Sequence, residues 1–600
     1  VIVPLIAAWV MTPAGLPPLT IRGKQFVDPS GSPVLLKGCN IGNWLINEFW
    51  MWGLDGTPGV PADQYSLEKM LTEKFGASED LRLMNLLRSS WITERDWQNI
   101  QSYGFNLIRL PFNYRLMEDD DNPKHLRPDA WQWTDLAVRE AAKHGLYVIL
   151  DLHGVQGGQT ENDHTGRVGQ NKLWSTPEDQ DRMAWLWTQI ANRYKDNPTV
   201  IAYDPMNEPY GGTKPEVVSV FKKAYAAIRS VDPEKLIFAH GATDNFDHFG
   251  DPAKNGWHHV GFEMHYYPGL FGDTPRIKSN VRHLDGLQAV AKKIDALNVP
   301  FLVGEMNVVI AKSGGAPMMR RYFDAHAKYG WMTTMWSYKV ITAEGGVSDG
   351  SWGMFTNKGP SIKINLSTAS EPEIEAYFKS FATQELMPYE ELRQDLTAAN
   401  PNLPPIPEME LPRTVAPADE TLAGWTSTDV NGALKGGLKI NPNGSFDLYG
   451  AGDDIWTSSD QFRFLSKSIS GDFDLKVVLD SVEETAGYTK AGLMIRDSLA
   501  PDAATALLSV FPSGFAQVAV RPTDGSQMSA TDGPTVKFPG AKLEIARVGK
   551  TFIFSVNGQE VSRKTIDSLG DQVFVGPIAL SHSNSELTKI TYRALSLQSQ

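Results

Sequence analysis

The stretch "VIAYDPMNEP" (Val200–Pro209) starts apolar, turns acidic at Asp204 and ends on an amide, a carboxylate and a proline. An apolar run this short, closed by turn residues, reads as a strand covered on both faces. Its end is the odd part, because Asn207 and Glu208 stand where a buried strand should pass into a polar turn. Taken alone, Glu208 could be a carboxylate that caps that turn. The rest of the chain favours another reading.

Seven further runs of the same kind lie between Lys37 and Lys339: "LLKGCNIGNW", "FNLIRLPF", "LYVILDLHG", "KLIFAHGA", "VGFEMHYY", "PFLVGEMN" and "WMTTMWSYK". The segments between them have helical period. In "STPEDQDRMAWLWTQIANRYKDNP", Thr176 can cap the helix, Pro177 suits its first position and acidic residues fill the first turn. Met183, Leu186, Trp187, Ile190 and Tyr194 then recur every three or four residues as one buried stripe. Eight strands joined by helical crossovers predict a (β/α)₈ barrel, an α/β fold, over residues 20–385.

After Glu385 the composition changes. Residues 386–421 are proline-rich with little apolar periodicity, which predicts an extended linker. From 422 to 600 short alternating runs, and "VGKTFIFSVNGQEV" with its Asn-Gly turn, predict an all-β sandwich. Residues 1–19 open with "VIVPLIAAWVMTPAG", apolar enough to be the remnant of an export signal, or else a tail lying on the main domain. An export signal implies a secreted or periplasmic protein. Pro4 and Pro13 break the run, which argues against membrane insertion.

The 600 residues carry a formal charge of −14, which excludes a nucleic-acid or anionic-membrane partner that needs a basic surface. Cys39 is the single cysteine, so no intrachain disulfide and no cysteine-rich metal site can form. His153 with Asp151, Asp163 and His164 lacks the spacing of known zinc signatures, and "GVQGGQ" lacks the Gly-Lys-Ser/Thr ending of a phosphate loop. Neither a metal nor a cofactor is expected.

Barrel chemistry sits at the C-terminal ends of the strands. Read that way, the runs present Arg109, His153, Asn207 with Glu208, His265 with Tyr267, Glu305 and Trp336 to one cleft, as groups that can contact a bound sugar. Glu208 and Glu305 form a carboxylate pair, the requirement for splitting a glycosidic bond. Arg109 beside Glu305 would keep that group ionised, Tyr267 could orient it, and Trp336 would floor the sugar. Trp44, Trp50, Trp52, Trp174 and Trp352 either stack on outer sugar units or pack beneath the rim loops.

"NEP", "GE", "LHG", "IRLPF", an H-x-Y and the late tryptophan together resemble glycoside hydrolase family 5, over about Thr20 to Phe381. The resemblance implies a retaining enzyme, with Glu208 as acid/base, Glu305 as nucleophile and Asn207 on the sugar 2-hydroxyl. Arg109, His153, His265, Tyr267 and Trp336 match the family's remaining positions. "GCNIGNWLINEFW" and "DLHGVQGGQTENDHTGR" are similar to the exo-β-1,3-glucanases of fungi, which implies sugar contacts at Glu48 and His164. In that group an asparagine stands where His164 is, and a phenylalanine where Asn162 is. Phe271 matches a second cleft-mouth phenylalanine loosely, so Trp50, Trp174, Phe271 and Trp352 are candidates for outer subsites.

The implied activity is hydrolysis of a β-glucan, 1,3-linked by preference, endo or exo. Other β-glycans (1,4-glucan, 1,6-glucan, mannan) and an inactive glycan-binding protein are the alternatives. "DDIWTSSDQFRFLSKSISGDFDLKVVL" and "YTKAGLMIRDSLAP" resemble a concanavalin-like sandwich appended to carbohydrate enzymes. That resemblance implies glycan binding, with Trp456, Tyr488 and Arg496 on the binding face.

Overall fold

The computed structural model describes residues 15–54, 57–241, 245–268, 277–308, 314–347, 352–406, 412–456 and 458–599. They form two compact units, one up to Pro268 and again from Asn280 to Pro405, the other from Ile406 onward. Among the described residues no helix is long and apolar enough to cross a membrane.

In the first unit all eight expected runs become strands of one closed parallel barrel. They are β1 (Lys37–Asn40), β2 (Leu107–Asn113), β3 (Tyr147–Gly154), β4 (Val200–Asp204), β5 (Leu236–His240), β6 (Val260–Tyr266), β7 (Phe301–Met306) and β8 (Met332–Met335). The order follows the chain, and β8 closes on β1 through Thr333 opposite Lys37. The helix Pro177–Tyr194 starts after Thr176 with proline at its first position and buries the five residues of the expected stripe.

Side chains near the strand starts fill the lower barrel. Leu107, Ile149, Ile201, Leu236, Phe238 and Leu302 share one apolar cluster. Leu16 and Leu19 pack against it, and Tyr147 donates its hydroxyl hydrogen to the Pro17 carbonyl at 2.9 Å. Residues 16–19 therefore pack on the barrel. The remainder of the proposed export segment, 1–14, lies outside the described residues.

The linker expected from residue 386 begins with ordered structure instead. Leu386–Pro388 pairs with Phe355–Asn357, and the helix Glu390–Thr397 buries Leu392 and Leu396. Those two leucines are four apart and face the same way on a helix, enough of a stripe for a helix of eight residues. Apart from Pro388, which lies before the helix, the prolines that suggested a linker begin at Pro401.

The second unit is a sandwich of two seven-stranded antiparallel sheets. One runs, edge to edge, through Thr426–Val430, Phe462–Ser470, Gln572–Leu580, Lys490–Arg496, Thr505–Val510, Phe515–Arg521 and Ser529–Thr535. The other runs through Gly437–Ile440, Phe446–Gly452, Ser583–Ser599, Phe473–Val482, Ala541–Val548, Thr551–Val556 and Gln559–Thr565. Leu465, Leu493, Leu508 and Val575 of the first sheet share a core with Leu448, Leu475, Ile545 and Phe554 of the second. The Tyr592 hydroxyl ties the sheets, accepting the Gly492 N–H at 2.8 Å and donating to the Ile578 carbonyl at 2.7 Å. Asn557 and Gly558 take positive φ (52° and 81°) in the expected two-residue hairpin turn.

Arg496, expected on an exposed face, is fully buried. With Arg521 it grips the Asp460 carboxylate, also fully buried. On the face of this strand away from the other sheet, Met494 packs in a second apolar cluster with Phe462, Phe464 and Leu507, so Arg496 beside it is covered and needs a partner carboxylate.

Candidate active site

The upper barrel is organised around one buried cation. Arg109, third in β2 rather than at its end, has no solvent exposure. Its guanidinium reaches Asp151 (3.0 Å), Asp204 (2.6 Å), Glu263 (3.2 Å) and Glu305 (3.0 Å), and donates to Asn40 Oδ1 (3.1 Å) and Asn207 Oδ1 (2.9 Å). Burial alone would lower its pKa, but the charges of Asp151, Glu263, Asp204 and Glu305 raise it well above the usual arginine value. One cation faces four carboxyls, so they cannot all ionise cheaply. Burial accordingly drives Asp151 and Glu263 well above the ordinary carboxylate range.

Glu305, on β7, accepts hydrogen bonds from Arg109 at one oxygen and from the Tyr267 hydroxyl at the other, the latter at 2.7 Å. Burial, followed by the charge of Glu208, pushes its carboxyl upward, while Arg109 and Tyr267 oppose that shift. The expectation that Arg109 would simply hold Glu305 ionised is therefore corrected. The guanidinium is shared among too many carboxyls to outweigh desolvation.

Glu208 lies beyond the end of β4 in a left-handed backbone conformation, φ 40°. A glutamate tolerates that poorly, and such outliers persist where surrounding bonds fix them. Here the Glu208 N–H donates to His240 Nδ1 at 3.1 Å, and the Glu208 carbonyl accepts the Tyr210 N–H at 2.7 Å.

His265 links the two glutamates. Its Nδ1 is 2.7 Å from Glu208 Oε1 and 3.4 Å from Glu305 Oε2, and its Nε2 is 3.3 Å from Glu263. One carboxylate oxygen of Glu208, one of Glu305 and a His265 nitrogen all lie within 4.8 Å of one another. Gly304 makes this approach possible, because a Cβ there would stand 1.7 Å from Glu263 Oε1 and 3.1 Å from His265 Nε2. Burial holds His153, His240 and His265 well below the usual histidine pKa, so all three rings are neutral near pH 7. His240, Glu263 and His265 also converge within 4.8 Å as a possible donor set for a metal, though Glu263 and His265 already bond each other.

The structure gives His153 a different part from the expected sugar contact. It is 2% exposed, with Nδ1 at 2.7 Å from Asp151 and Nε2 accepting from the Asn207 amide at 3.3 Å. Arg109 likewise cannot touch a substrate, being fully buried. Both orient Asn207. Gln159, which sequence reading missed, braces the same point by donating to the main-chain carbonyls of His153 (2.7 Å) and Asn207 (2.9 Å). Asp151 and Glu263 were also missed, yet each stands two residues before a selected histidine and so shares its face of the strand.

Trp336 follows β8, starts a cis peptide to Ser337 and stacks on His153 at 5.4 Å and 14°. Around it Trp50, Tyr267 and Trp352 pack as a partly exposed aromatic group. Trp44 and Trp52 are buried, so for them packing is the answer. Trp174 is half-buried, its indole N–H bonded to Gln159 O (3.1 Å) and Asn171 Oδ1 (2.9 Å), with Gly212 against its ring. His164 Nε2 lies 3.8 Å from Glu208 Oε2, on the side away from His265. Phe271 lies outside the described residues.

Glu48 accepts the Trp50 indole N–H at 2.8 Å. Burial lifts its pKa from the ordinary 4.5 to about 8, against the Trp50 bond and with help from the charges of Asp163 and Glu208. A folded-state pKa above the unfolded one means stability that is complete below about pH 4.5 and is lost as pH climbs through about 8. Glu48→Gln keeps an acceptor for Trp50 and should gain thermal stability relative to wild type as pH rises from 5 to 9. Parallel Tm-against-pH curves for the two proteins would refute this.

The geometry has relatives. A β-xylosidase of Phanerodontia chrysosporium is 32% identical over 305 residues, 49% of this chain and 62% of that protein. A probable glucan 1,3-β-glucosidase A of Emericella nidulans is 27% identical over 284 residues, 45% of this chain and 66% of that protein. The chain thus spans less than two thirds of the length of either relative. Among solved structures, an endogalactoceramidase aligns over 78% of this chain and 95% of its own, with 17% identity and a TM-score of 0.43. From residue 73 to residue 340, β2 to β8 with their helices, the chain matches the family model for cellulase, glycosyl hydrolase family 5.

Proposed function

We propose that the barrel is a retaining β-glycoside hydrolase acting on β-glucan, 1,3-linked by preference. The observation that carries this reading is the approach of Glu208 and Glu305 to within 4.8 Å through a shared histidine. Retaining chemistry needs carboxyl groups about 5 to 5.5 Å apart, whereas inversion leaves room for a water at about 6.5 to 9.5 Å.

The two carboxyls take different parts, and the donors around each decide which. Glu305 receives two strong donors, Arg109 and Tyr267, which favour negative charge there. Glu208 is accordingly assigned the acid/base part and Glu305 that of the nucleophile. In the first step a Glu305 oxygen attacks the anomeric carbon, the glycosidic C–O bond breaks, and the Glu208 proton passes to the leaving oxygen. In the second, Glu208 takes a proton from water as that water attacks the glycosyl–Glu305 ester and frees the carboxylate. Asn207 spends its carbonyl on Arg109 and one N–H on His153, so its second N–H serves the sugar 2-hydroxyl. Glu48 and the Trp50–Trp352 group would bind flanking hydroxyls and ring faces. A polymeric substrate of this kind fits a secreted or periplasmic enzyme.

Proton NMR during early hydrolysis of laminari-oligosaccharides tests the stereochemistry. The β-anomer should form first, and initial release of the α-anomer would refute the double displacement. Product profiles on laminarin, mixed-linkage glucan, cellulose, mannan and xylan test the substrate. The fastest turnover should be on laminarin. Glucose alone would indicate a closed pocket, and mixed oligosaccharides an open cleft.

A further inference from the structure

β5 ends on His240, a rim residue that belongs neither to the carboxylate pair nor to the ion pairs of Arg109. Its Nδ1 accepts the Glu208 N–H at 3.1 Å. A ring nitrogen that accepts a hydrogen bond carries no proton, so His240 is neutral with its hydrogen on Nε2. The ring lies 4.2 Å from that of His265, whose Nδ1 is 2.7 Å from Glu208 Oε1. His240 therefore holds the main chain of Glu208, and His265 holds its side chain. The side chains that share a small cavity with His240, among them Met206, Phe238 and Phe249, are all apolar, so none replaces it as a good acceptor.

The conformation of Glu208 shows why its main chain needs a partner. A φ of 40° crowds its side chain against the backbone, and Pro209 after it favours negative φ at the same residue. Without opposing bonds the residue would turn back to negative φ, and that rotation would move the carboxyl off His265. Two main-chain bonds oppose the rotation, the one to His240 and the Tyr210 N–H donated to the Glu208 carbonyl at 2.7 Å. The Tyr210 bond spans two residues and travels with the turn. His240 is the anchor that comes from another strand. Glu305 is held differently, since it sits within β7 and takes its bonds from Arg109 and Tyr267. Loss of the His240 anchor should therefore fall on the acid/base and spare the nucleophile.

We propose that His240 is a positioning residue for the acid/base, fixing the Glu208 main chain in its left-handed turn so that the carboxyl meets the leaving oxygen. The inference rests on the parts given above to Glu208 and Glu305. Three variants of the full chain test it. His240→Phe keeps a ring against His265 but cannot accept, His240→Leu keeps neither, and His240→Asn returns an oxygen near the Nδ1 position. The measurement is kcat/KM on two β-glucosides, phenyl, whose departure needs a proton, and dinitrophenyl, whose departure does not. His240→Phe should lose about 10²-fold on the phenyl substrate and no more than about threefold on the dinitrophenyl one. His240→Leu should show the same split and stands in for His240→Phe if that variant fails to fold. Azide, a nucleophile that needs no general base, should speed dinitrophenyl turnover in both and yield β-glucosyl azide. His240→Asn should regain about tenfold or more on the phenyl substrate. Equal losses on the two substrates, no loss on the phenyl one, or no gain in His240→Asn would overturn the proposal. Glu208→Gln, assayed alongside, separates the two readings. Wild-type turnover of the phenyl substrate in that variant would refute the acid/base assignment itself. Its loss there, with undiminished His240 variants, would refute the positioning role alone.

Discussion

Glu305→Gln is expected to cut turnover of β-glucosides by about 10⁵-fold or more while leaving the fold intact. The loss is that large because the covalent route disappears with the nucleophile, and what remains is binding and positioning alone. The amide oxygen can still accept from Arg109, and its NH₂ can donate to the Tyr267 hydroxyl once that hydroxyl turns, so the site should keep its shape. Because burial and the Glu208 charge raise the Glu305 pKa, its ionised form costs stability as pH rises. The variant should therefore unfold at the same temperature as wild type or higher, increasingly so toward pH 8. Glu208→Gln, which removes a proton donor and not the nucleophile, should lose less, about 10²- to 10⁴-fold. Wild-type turnover in the Glu305 variant would remove the assigned role. A lower Tm at pH 8 would show that its charge is held more cheaply than its surroundings indicate.

Arg109→Met should destabilise the barrel by about 3–5 kcal/mol or more. Removing one partner of a buried ion pair leaves an uncompensated charge, and here four carboxyls lose their common cation. The variant's carboxyls can recover part of the loss by taking up protons. Their pKa values already lie high in the wild-type fold, at Asp151, Glu263 and Glu305, and would rise further. A raised folded-state pKa gives stability that is present in acid and lost as pH rises, so the deficit should be smaller at pH 5 than at pH 8. Only Trp425 and Trp456 of the 17 tryptophans lie beyond Ile406, so tryptophan fluorescence on heating follows the barrel. A deficit equal at both pH values would argue against the shared-cation account.

The eight strands were readable one by one because a strand buried on both faces must be nearly all apolar, and the helices because their stripes repeat at 3.6 residues. Glu208, Glu305, Asn207, His265 and Tyr267 could be selected because a polar group that ends such a strand has few structural reasons to be there. What failed was the reading of each residue's task. Arg109 and His153 looked like sugar ligands, yet they are buried and act on Asn207 and on the carboxyls. Arg496 was placed on a binding face, but a second apolar cluster around Met494 and Phe462 covers that face of its sheet. The helix Glu390–Thr397 was hidden because it is short and lies between Pro388 and the proline-rich run from Pro401.

The sequence by itself determined the class of fold, the two-unit plan and the carboxylate pair. These depend on local period, turn chemistry and residue type, all of which are written along the chain. Only the tertiary structure decided which carboxyls gather around Arg109, since that depends on distances between strands far apart in sequence. Asp151, Asp204, Glu263 and Glu305 come from four strands and meet at one guanidinium, and the cost of burying their charges exists only once they meet. "VIAYDPMNEP" shows both sides. Its apolar start states that it is a buried strand, whereas the bent backbone at Glu208 is held by His240 from β5.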